Sequence, residues 1–345
     1  MLALRHYPKV YAAVVNYNDS GISILEIPHR GPAFKAILEE ANSLVKSLYN
    51  ISDDYDVIWM QGGGRMQFAM VPLNFLKVGY TAAYIDSGHW AKSAITYAEK
   101  YGNVAVIASS QTSNYDHIPT YTNCPQNSAY LHITSNNTIY GTQYQTYPST
   151  GKIPLIADMS SDIFSKKIDV NKFGFIYAVA QKNVGPAGVT LGIIRKDLSA
   201  IHSDNIPSIL SYNSYVSENS LINTPPVFAI YCSYLNLKLM HQKGIAQIEQ
   251  ENNEKATLLY NYINQSSLFS TNAIADWSTM NVCLQLSDPK LTQSFVDYAT
   301  KHDIIGVKGH RSVGGLRISL YNAISKQDVL TLINVMQSFE QKPEF

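Results

Sequence analysis

From about Tyr55 onward, short runs rich in β-branched and aromatic residues alternate with runs of helical texture, and this alternation limits the possible folds more than any other feature of the chain. "YDVIWM" reads as a strand and gives way to "QGGGR"; "MQFAMVPLNFL" follows as a helix interrupted near Pro72. "TAAYID" is a second strand, "GHWAKSAITYAEKYG" a helix closed by glycine, and "NVAVIAS" a third strand. "AYLHIT", "IPLIADM", "FGFIYAVA" and "VTLGIIR" read as further strands, and "PPVFAIYCSYLNLKLMHQKG" as a helix. Strands alternating with helices predict an α/β unit built on a mainly parallel sheet. After about Gly244 a long polar helix leads into "MNVCLQLS", "LTQSFVDYATKHD", "IIGVKGHRSVGGLRISLYN" and a last helix, the texture of a smaller α+β unit. The expected division is a large domain over 16–244 and a small C-terminal domain over 245–345, with 1–15 packing near the small one.

Composition narrows the function classes. Of 345 residues, 26 are Lys or Arg and 26 are Asp or Glu, a balance that speaks against a nucleic-acid surface or a polybasic membrane patch. The three cysteines, Cys124, Cys232 and Cys283, are scattered and form no CxxC pair, which argues against a zinc site and a disulfide scaffold. No apolar run reaches the ~18 residues that span a bilayer. "MLALRHYPKV" lacks the long apolar core of a signal peptide. The expectation is a soluble, cytoplasmic protein without a metal.

Polar clusters follow the strands: "QGGGRMQ", "DSGHW", "TSNNT", "ADMSSD" and "AQKN". In open α/β sheets ligands bind beyond the carboxyl ends of the strands, so these clusters point to one site. Lys182 and Asp158 each stand just past an apolar run. A lysine there can form a Schiff base with a carbonyl cofactor, and an aspartate can keep a pyridine nitrogen protonated; the plainer reading is a loop lysine and a helix-capping aspartate. The glycines of "QGGGR" let backbone N–H groups approach an anion, although the Gly-Lys-Ser/Thr ending of a nucleotide loop is missing and a bare strand-to-helix turn is the alternative. Trp90 can stack on a flat ring or fill the core. Thr138 can donate to a phenolate or serve its own turn. His29 and Arg30, with Lys308, His310, Arg311 and Arg317, suit a substrate with two or three negative charges; solvated surface groups are the alternative.

"IPHRGPAF", "QGGGRMQFAMVPLNF", "HITSNNTIYGTQ", "ADMSSDIFSKKIDV", "YAVAQKNVGPAGVT", "NTPPVFAIY" and "VKGHRSVGGLRISLYNA" occur in this order, and together they resemble the motifs of the phosphoserine aminotransferase family among the class V aminotransferases. The resemblance runs over about residues 17 to 340. It implies the fold-type I architecture of pyridoxal-phosphate-dependent transferases, with a large domain around a mainly parallel mixed sheet and a smaller α+β domain. It implies pyridoxal 5'-phosphate as cofactor and exchange of O-phospho-L-serine with 2-oxoglutarate, giving 3-phosphooxypyruvate and L-glutamate in serine biosynthesis. It also admits 4-phosphohydroxy-L-threonine in pyridoxine biosynthesis. Carried over by position, Lys182 is the Schiff-base lysine, Asp158 the partner of the pyridine nitrogen, Trp90 the stacking ring and Thr138 the phenolate contact. Gly64 and Arg65 offer backbone N–H groups, and Gln181 its side chain, to the cofactor phosphate. Asn223 and Thr224 reach the cofactor phosphate of a neighbouring subunit, which implies a homodimer with shared active sites. Arg317 takes the substrate α-carboxylate; His29, Arg30, His310 and Arg311 surround its phosphate or distal carboxylate. "MLALRHYPKVYAAVVNYN" stands where the family usually carries a Gly-Pro-Ala-bearing segment. That departure is the ground for a catalytically idle, ligand-binding reading. A lyase or desulfurase is the other alternative, although no cysteine stands in a loop suited to it.

Overall fold

The computed structural model describes residues 7–201 and 205–341; residues 1–6 of the expected N-terminal segment lie outside them. The first part of the chain supplies α1 (Tyr7–Val15), α2 (Pro32–Tyr49), β1 (Tyr55–Gln61), α3 (Gly64–Phe75), β2 (Thr81–Asp86), α4 (His89–Ala98) and β3 (Asn103–Ser109). Next come β4 (Ser128–Thr134), β5 (Asn136–Asn137), β6 (Thr142–Gln143), β7 (Leu155–Asp158), β8 (Phe175–Val179), β9 (Val189–Arg195), α5 (Lys196–Ser199) and α6 (Tyr212–Ser217). The remainder is α7 (Val227–Lys243), α8 (Ile245–Ile263), β10 (Phe269–Thr271), β11 (Asn281–Leu286), α9 (Leu291–Thr300), β12 (Leu316–Ser319) and α10 (Lys326–Glu340).

Seven strands form one sheet in the order β1-β9-β8-β7-β4-β2-β3. The pairs β8–β7, β7–β4, β4–β2 and β2–β3 are parallel, while β9 runs antiparallel to both β8 and β1, so the sheet is mixed with one reversed strand. Every residue of β8 is buried, as expected of a strand covered on both faces. Because side chains alternate, Ile176 and Ala178 join the core under α2 and α7, while Phe175 and Tyr177 join the core under α3 and α4. Ala13 of α1 is buried in the first of these cores, with Val10 and Val14 packed against it. The described part of this helix therefore joins the core of the large sheet's layer, a core that also takes in Ile248 at the start of α8, with Ile245 packed against it.

Strands β10, β11 and β12 form a separate antiparallel sheet, and its core draws on α8, α9 and α10. Two glycines are required where backbones meet. Gly315 has φ +60°, and a Cβ there would lie 2.2 Å from the Leu284 carbonyl oxygen, so only glycine lets the "GHRSVGG" loop enter β12. A Cβ on Gly185 would lie 2.2 Å from Ser233 Oγ, which brings the β8–β9 turn hard against α7. One expectation differs: α3 runs through Pro72 to Phe75. The Asn74 amide bonds the carbonyls of Met70 and Leu210 at 2.8 Å each and pins the last turn. Among the described residues no helix is long and apolar enough to cross a membrane, and no group of three or more His, Cys, Asp or Glu side chains could hold a metal.

Candidate active site

Asp158 is the last residue of β7, opposite Thr134 of β4 and Tyr177 of β8 in the sheet register. Ala157 faces α2 and α7, so Asp158 faces the α3/α4 side. Lys182 lies in the turn from β8 to β9, which closes through the N–H groups of Val184 and Gly185 on the Ala180 carbonyl. Helices α3 and α4 begin above the same strand ends and bring Gly64, Arg65 and Trp90. Gly64, Arg65, Trp90, Asp158, Gln181 and Lys182 line one cavity of ≈ 360 Å³. Thr138 stands behind it: the Trp90 indole N–H donates to Thr138 Oγ1 at 3.2 Å and orients the ring.

Burial dominates the electrostatics. It raises the Asp158 carboxyl above the ordinary aspartate range, opposed by hydrogen bonds from Ser160 and by the charge of Lys182. The Ser160 N–H donates to Asp158 Oδ1 at 2.9 Å. Burial lowers the Lys182 amine; Asp158 pulls it back up, Arg317 pushes it further down and Asp162 raises it. The outcome is an amine that gives up its proton more readily than a surface lysine, beside a carboxylate that gains from a nearby cation.

Arg317 reaches this site from the other sheet, on β12 opposite Cys283. Its Nε is buried and has no hydrogen-bond partner among the described residues, a donor prepared for an anion. His310, half-buried in the loop before β12, lies with its ring centroid 5.6 Å from that of His89, which in turn meets Trp90 edge-on at 4.9 Å. The Arg65 guanidinium sits 5.8 Å from the Trp90 ring centroid, and Arg311 is exposed on the same loop as His310. His29, Arg30, Asn223 and Thr224 do not join the cavity within one chain. Arg30 lines a separate pocket with Lys35, Glu39, Asn42 and Glu218. The Thr224 carbonyl accepts from Gln61 Nε2 beside the glycine turn, and Asn223 is half-buried ahead of α7.

The residues present fit pyridoxal 5'-phosphate. The first-turn amides of α3, at Gly64 and Arg65, have no intrahelical acceptor and carry the positive end of the helix dipole. A Cβ on Gly63 would meet nothing within 4 Å, so the backbone there is open to an anion. Thr134 Oγ1, opposite Asp158, is buried without a partner among the described residues, and Asp158 offers a carboxylate to a ring nitrogen. Thr134, Asn136, Ser160 and Ser161 also line the cavity, although the sequence motifs assign them no role. "ADMSSD" held a signal for the two serines, but Thr134 is found only through the β4–β7 register. Burial disfavours the thiolate that sulfur transfer needs: it pushes Cys232 up to about 11 and Cys283 up to about 12, and raises half-buried Cys124 as well.

Comparison with known proteins extends this reading. Residues 5–332 match the sequence model of the family described as aminotransferase class-V. A phosphoserine aminotransferase of Bacillus cereus is 44% identical over 344 residues, covering 99% of this chain and 96% of that protein. The solved phosphoserine aminotransferase of Bacillus circulans subsp. alkalophilus superposes with a TM-score of 0.97 at 42% identity, over 99% of this chain and 96% of that one. A phosphoserine aminotransferase of Trichomonas vaginalis, solved with pyridoxal phosphate bound, gives a TM-score of 0.93 at 30% identity, covering 98% of this chain and 97% of that one. With a family match and close relatives extending over nearly its whole length, the chain belongs to the class-V aminotransferases and, within them, to the phosphoserine aminotransferase family.

Proposed function

We propose that this chain transfers the amino group of O-phospho-L-serine to 2-oxoglutarate, giving 3-phosphooxypyruvate and L-glutamate, with pyridoxal 5'-phosphate as cofactor in the Lys182 cavity. The observation that carries the reading is the convergence of Asp158, Lys182 and the free amides of α3 on one cavity beside Arg317. When bound, the cofactor supplies a carbonyl for the substrate amine and a protonated ring that accepts the electron pair left at Cα. The amides of Gly64 and Arg65 and the Gln181 side chain hold its phosphate. Asp158 keeps a proton at the ring nitrogen, Trp90 covers one ring face, and Thr138 supports Trp90 and the phenolate side. Lys182, its amine poised by burial to give up a proton, would take the proton from the substrate Cα as base and return it, as acid, to the carbon on the other side of the transferred nitrogen.

Arg317 binds the α-carboxylate that both substrates share. His310 and Arg311 receive the substrate phosphate, or the distal carboxylate of 2-oxoglutarate, at the mouth. Each chain of a homodimer completes the other's site: Asn223 and Thr224 lie outside their own chain's cavity, and the same route brings in His29 and Arg30. Separate cores under the two sheets support a large domain over 16–244 and a small one over 245–345, with Ile245 and Ile248 at the start of α8 still packed with the large sheet's core. The anionic pocket also admits 4-phosphohydroxy-L-threonine, which would add a role in pyridoxine formation. The cytoplasm is the compartment proposed, as both substrates are charged, soluble metabolites.

One experiment tests the reading. Cofactor-loaded protein given phosphoserine alone should lose its cofactor absorbance band and release one equivalent of 3-phosphooxypyruvate per site; 2-oxoglutarate should then restore the band and yield glutamate. A protein that holds the cofactor but leaves phosphoserine unchanged is an idle homologue.

A further inference from the structure

We propose that Asn183 is a positioning residue of this reaction, whose side-chain amide locks the turn that follows the strand bearing Arg317 to the turn bearing Lys182 and to the segment that follows Asp158. The inference rests on the roles just given to those three residues. Arg317 stands on the three-stranded sheet, while Lys182 and Asp158 stand at the edge of the seven-stranded one. A substrate held by Arg317 must present its Cα within reach of the Lys182 amine, and a misplacement of about 1 Å costs on the order of a hundredfold in rate. Some contact therefore has to register one sheet against the other at this point.

Asn183 is the next residue after Lys182 and is 1% exposed. Its Oδ1 accepts the N–H of Asn322, just beyond the end of β12, at 3.0 Å. Its Nδ2 donates to the Ile163 carbonyl at 3.1 Å and also approaches Met280 Sδ at 3.7 Å. Its own carbonyl accepts Asn236 Nδ2 of α7 at 2.7 Å. One side chain thus touches both sheets' functional segments, and both of its faces are used. Asn322 carries the link further: its Nδ2 donates to the Phe164 carbonyl at 2.8 Å, and its Oδ1 accepts from Asn252 of α8 at 2.9 Å. Phe164 has φ 55°, a left-handed conformation that bulky residues rarely adopt. It is gripped from the other side by its N–H donating to the Tyr49 hydroxyl at 2.5 Å. A strained backbone held from two sides, in the segment that follows Asp158, is the arrangement expected where position matters more than stability.

The test compares Asn183→Ala and Asn183→Asp with Asn74→Ala in the cofactor-loaded enzyme. Asn74 is a matched control remote from Lys182: it is buried, donates to Met70 and Leu210 and accepts from the Tyr212 N–H. Hydrogen exchange followed by mass spectrometry reads the lock directly. The peptide containing Asn322 should exchange faster in Asn183→Ala and stay protected in Asn183→Asp, whose carboxylate keeps the acceptor. In steady state both Asn183 variants should lose about tenfold or more in kcat, with KM for phosphoserine changed less than about threefold, and α-deuterated phosphoserine should slow them more than it slows the wild type. Asn74→Ala should lower Tm but leave kcat alone. The proposal is overturned if Asn183→Ala loses Tm as the control does while kcat stays within about twofold, or if activity falls with no change in isotope effect. Should Asn183→Ala not fold, an unchanged kcat in Asn183→Asp overturns it equally. Lys182→Ala, assayed alongside, separates the two ideas: turnover surviving there sinks the functional reading, whereas the exchange result bears on Asn183 alone.

Discussion

At the scale of single residues, the site consists of charges that burial disfavours and neighbours partly restore. Lys182 and Asp158 each ease the other's desolvation, and a cationic ring nitrogen would take over Lys182's part toward Asp158. Asp158→Asn keeps the shape, loses the charge, and should slow the phosphoserine half-reaction by about tenfold to a hundredfold, the size of one lost charge-assisted bond. Its Tm should change little, because losing a costly buried charge offsets losing the partner of Lys182. A rapid-mixing measurement at the wild-type rate would remove Asp158 from the ring nitrogen. Arg317 and Arg311 divide recognition between them. Arg317→Leu should weaken phosphoserine, serine and alanine alike, whereas Arg311→Leu should penalise phosphoserine, by roughly tenfold or more in kcat/KM, and 2-oxoglutarate, while sparing alanine. Equal losses on all three amino acids in Arg311→Leu would take that residue out of the phosphate pocket.

At the scale of elements, the turn after β12 is held by a buried lysine. Lys255 of α8 donates to the carbonyls of Leu320, Tyr321 and Ile324 at 2.9–3.2 Å and is 2% exposed. Burial lowers its amine to about 8, with Glu251 and Asp328 raising it and Lys243 lowering it. The folded chain therefore releases this proton at a lower pH than the unfolded chain does. Between about 8 and the ordinary lysine value, the unfolded chain binds more protons, so Lys255's contribution to stability rises with pH by at most ~1.4 kcal/mol per pH unit. Below about 8 its desolvation cost is fully present. Urea unfolding of wild type and Lys255→Met at pH 7.5 and 9.5, conditions chosen at about half a unit below and well above the folded value, should show the wild type gaining on the variant at the higher pH. A constant difference would mean that Lys255 does not titrate in that window. The variant should be the less stable of the two throughout, as three carbonyls lose their donor.

At the scale of the whole molecule, one chain does not assemble every residue that the family motifs assign to the site. Lys182 serves its own cavity; Asn223 and Thr224 are proposed to serve the partner's. If Lys182→Ala chains are co-expressed with chains whose Asn223 and Thr224 are both replaced by residues too bulky for cofactor binding, each mixed dimer has one doubly defective site and one intact site. Activity should reappear at up to about half the wild-type value per mixed dimer, since one of its two sites is whole. Exchange of subunits demonstrated by mass spectrometry, with no recovered turnover, would refute the sharing.

Much of this was legible along the chain, because periodicity and turn chemistry are local properties. The β-rich runs, the glycine-proline turn around Lys182 and the polar residues closing each strand identify an α/β sheet with Lys182 and Asp158 at one edge, and the structure brings Gly64, Arg65, Trp90 and Gln181 to the same cavity. Local pattern could not decide how strands order themselves, since that depends on contacts between residues far apart in sequence. The reversal of β9, the pairing of Thr134 with Asp158 and the passage of α3 through Pro72 all come from packing. Asn183 looks like any loop asparagine until β12 and Ile163 are brought against it. Arg30 stands in a motif with His29, but within its own chain it lines another pocket, so only an assembled dimer could bring it to the site proposed for it. The sequence by itself determined which chemical groups stand at the strand ends; only the tertiary structure decided which of them share a cavity, because a side chain's neighbours across a sheet or between two sheets are set by long-range burial and hydrogen bonding.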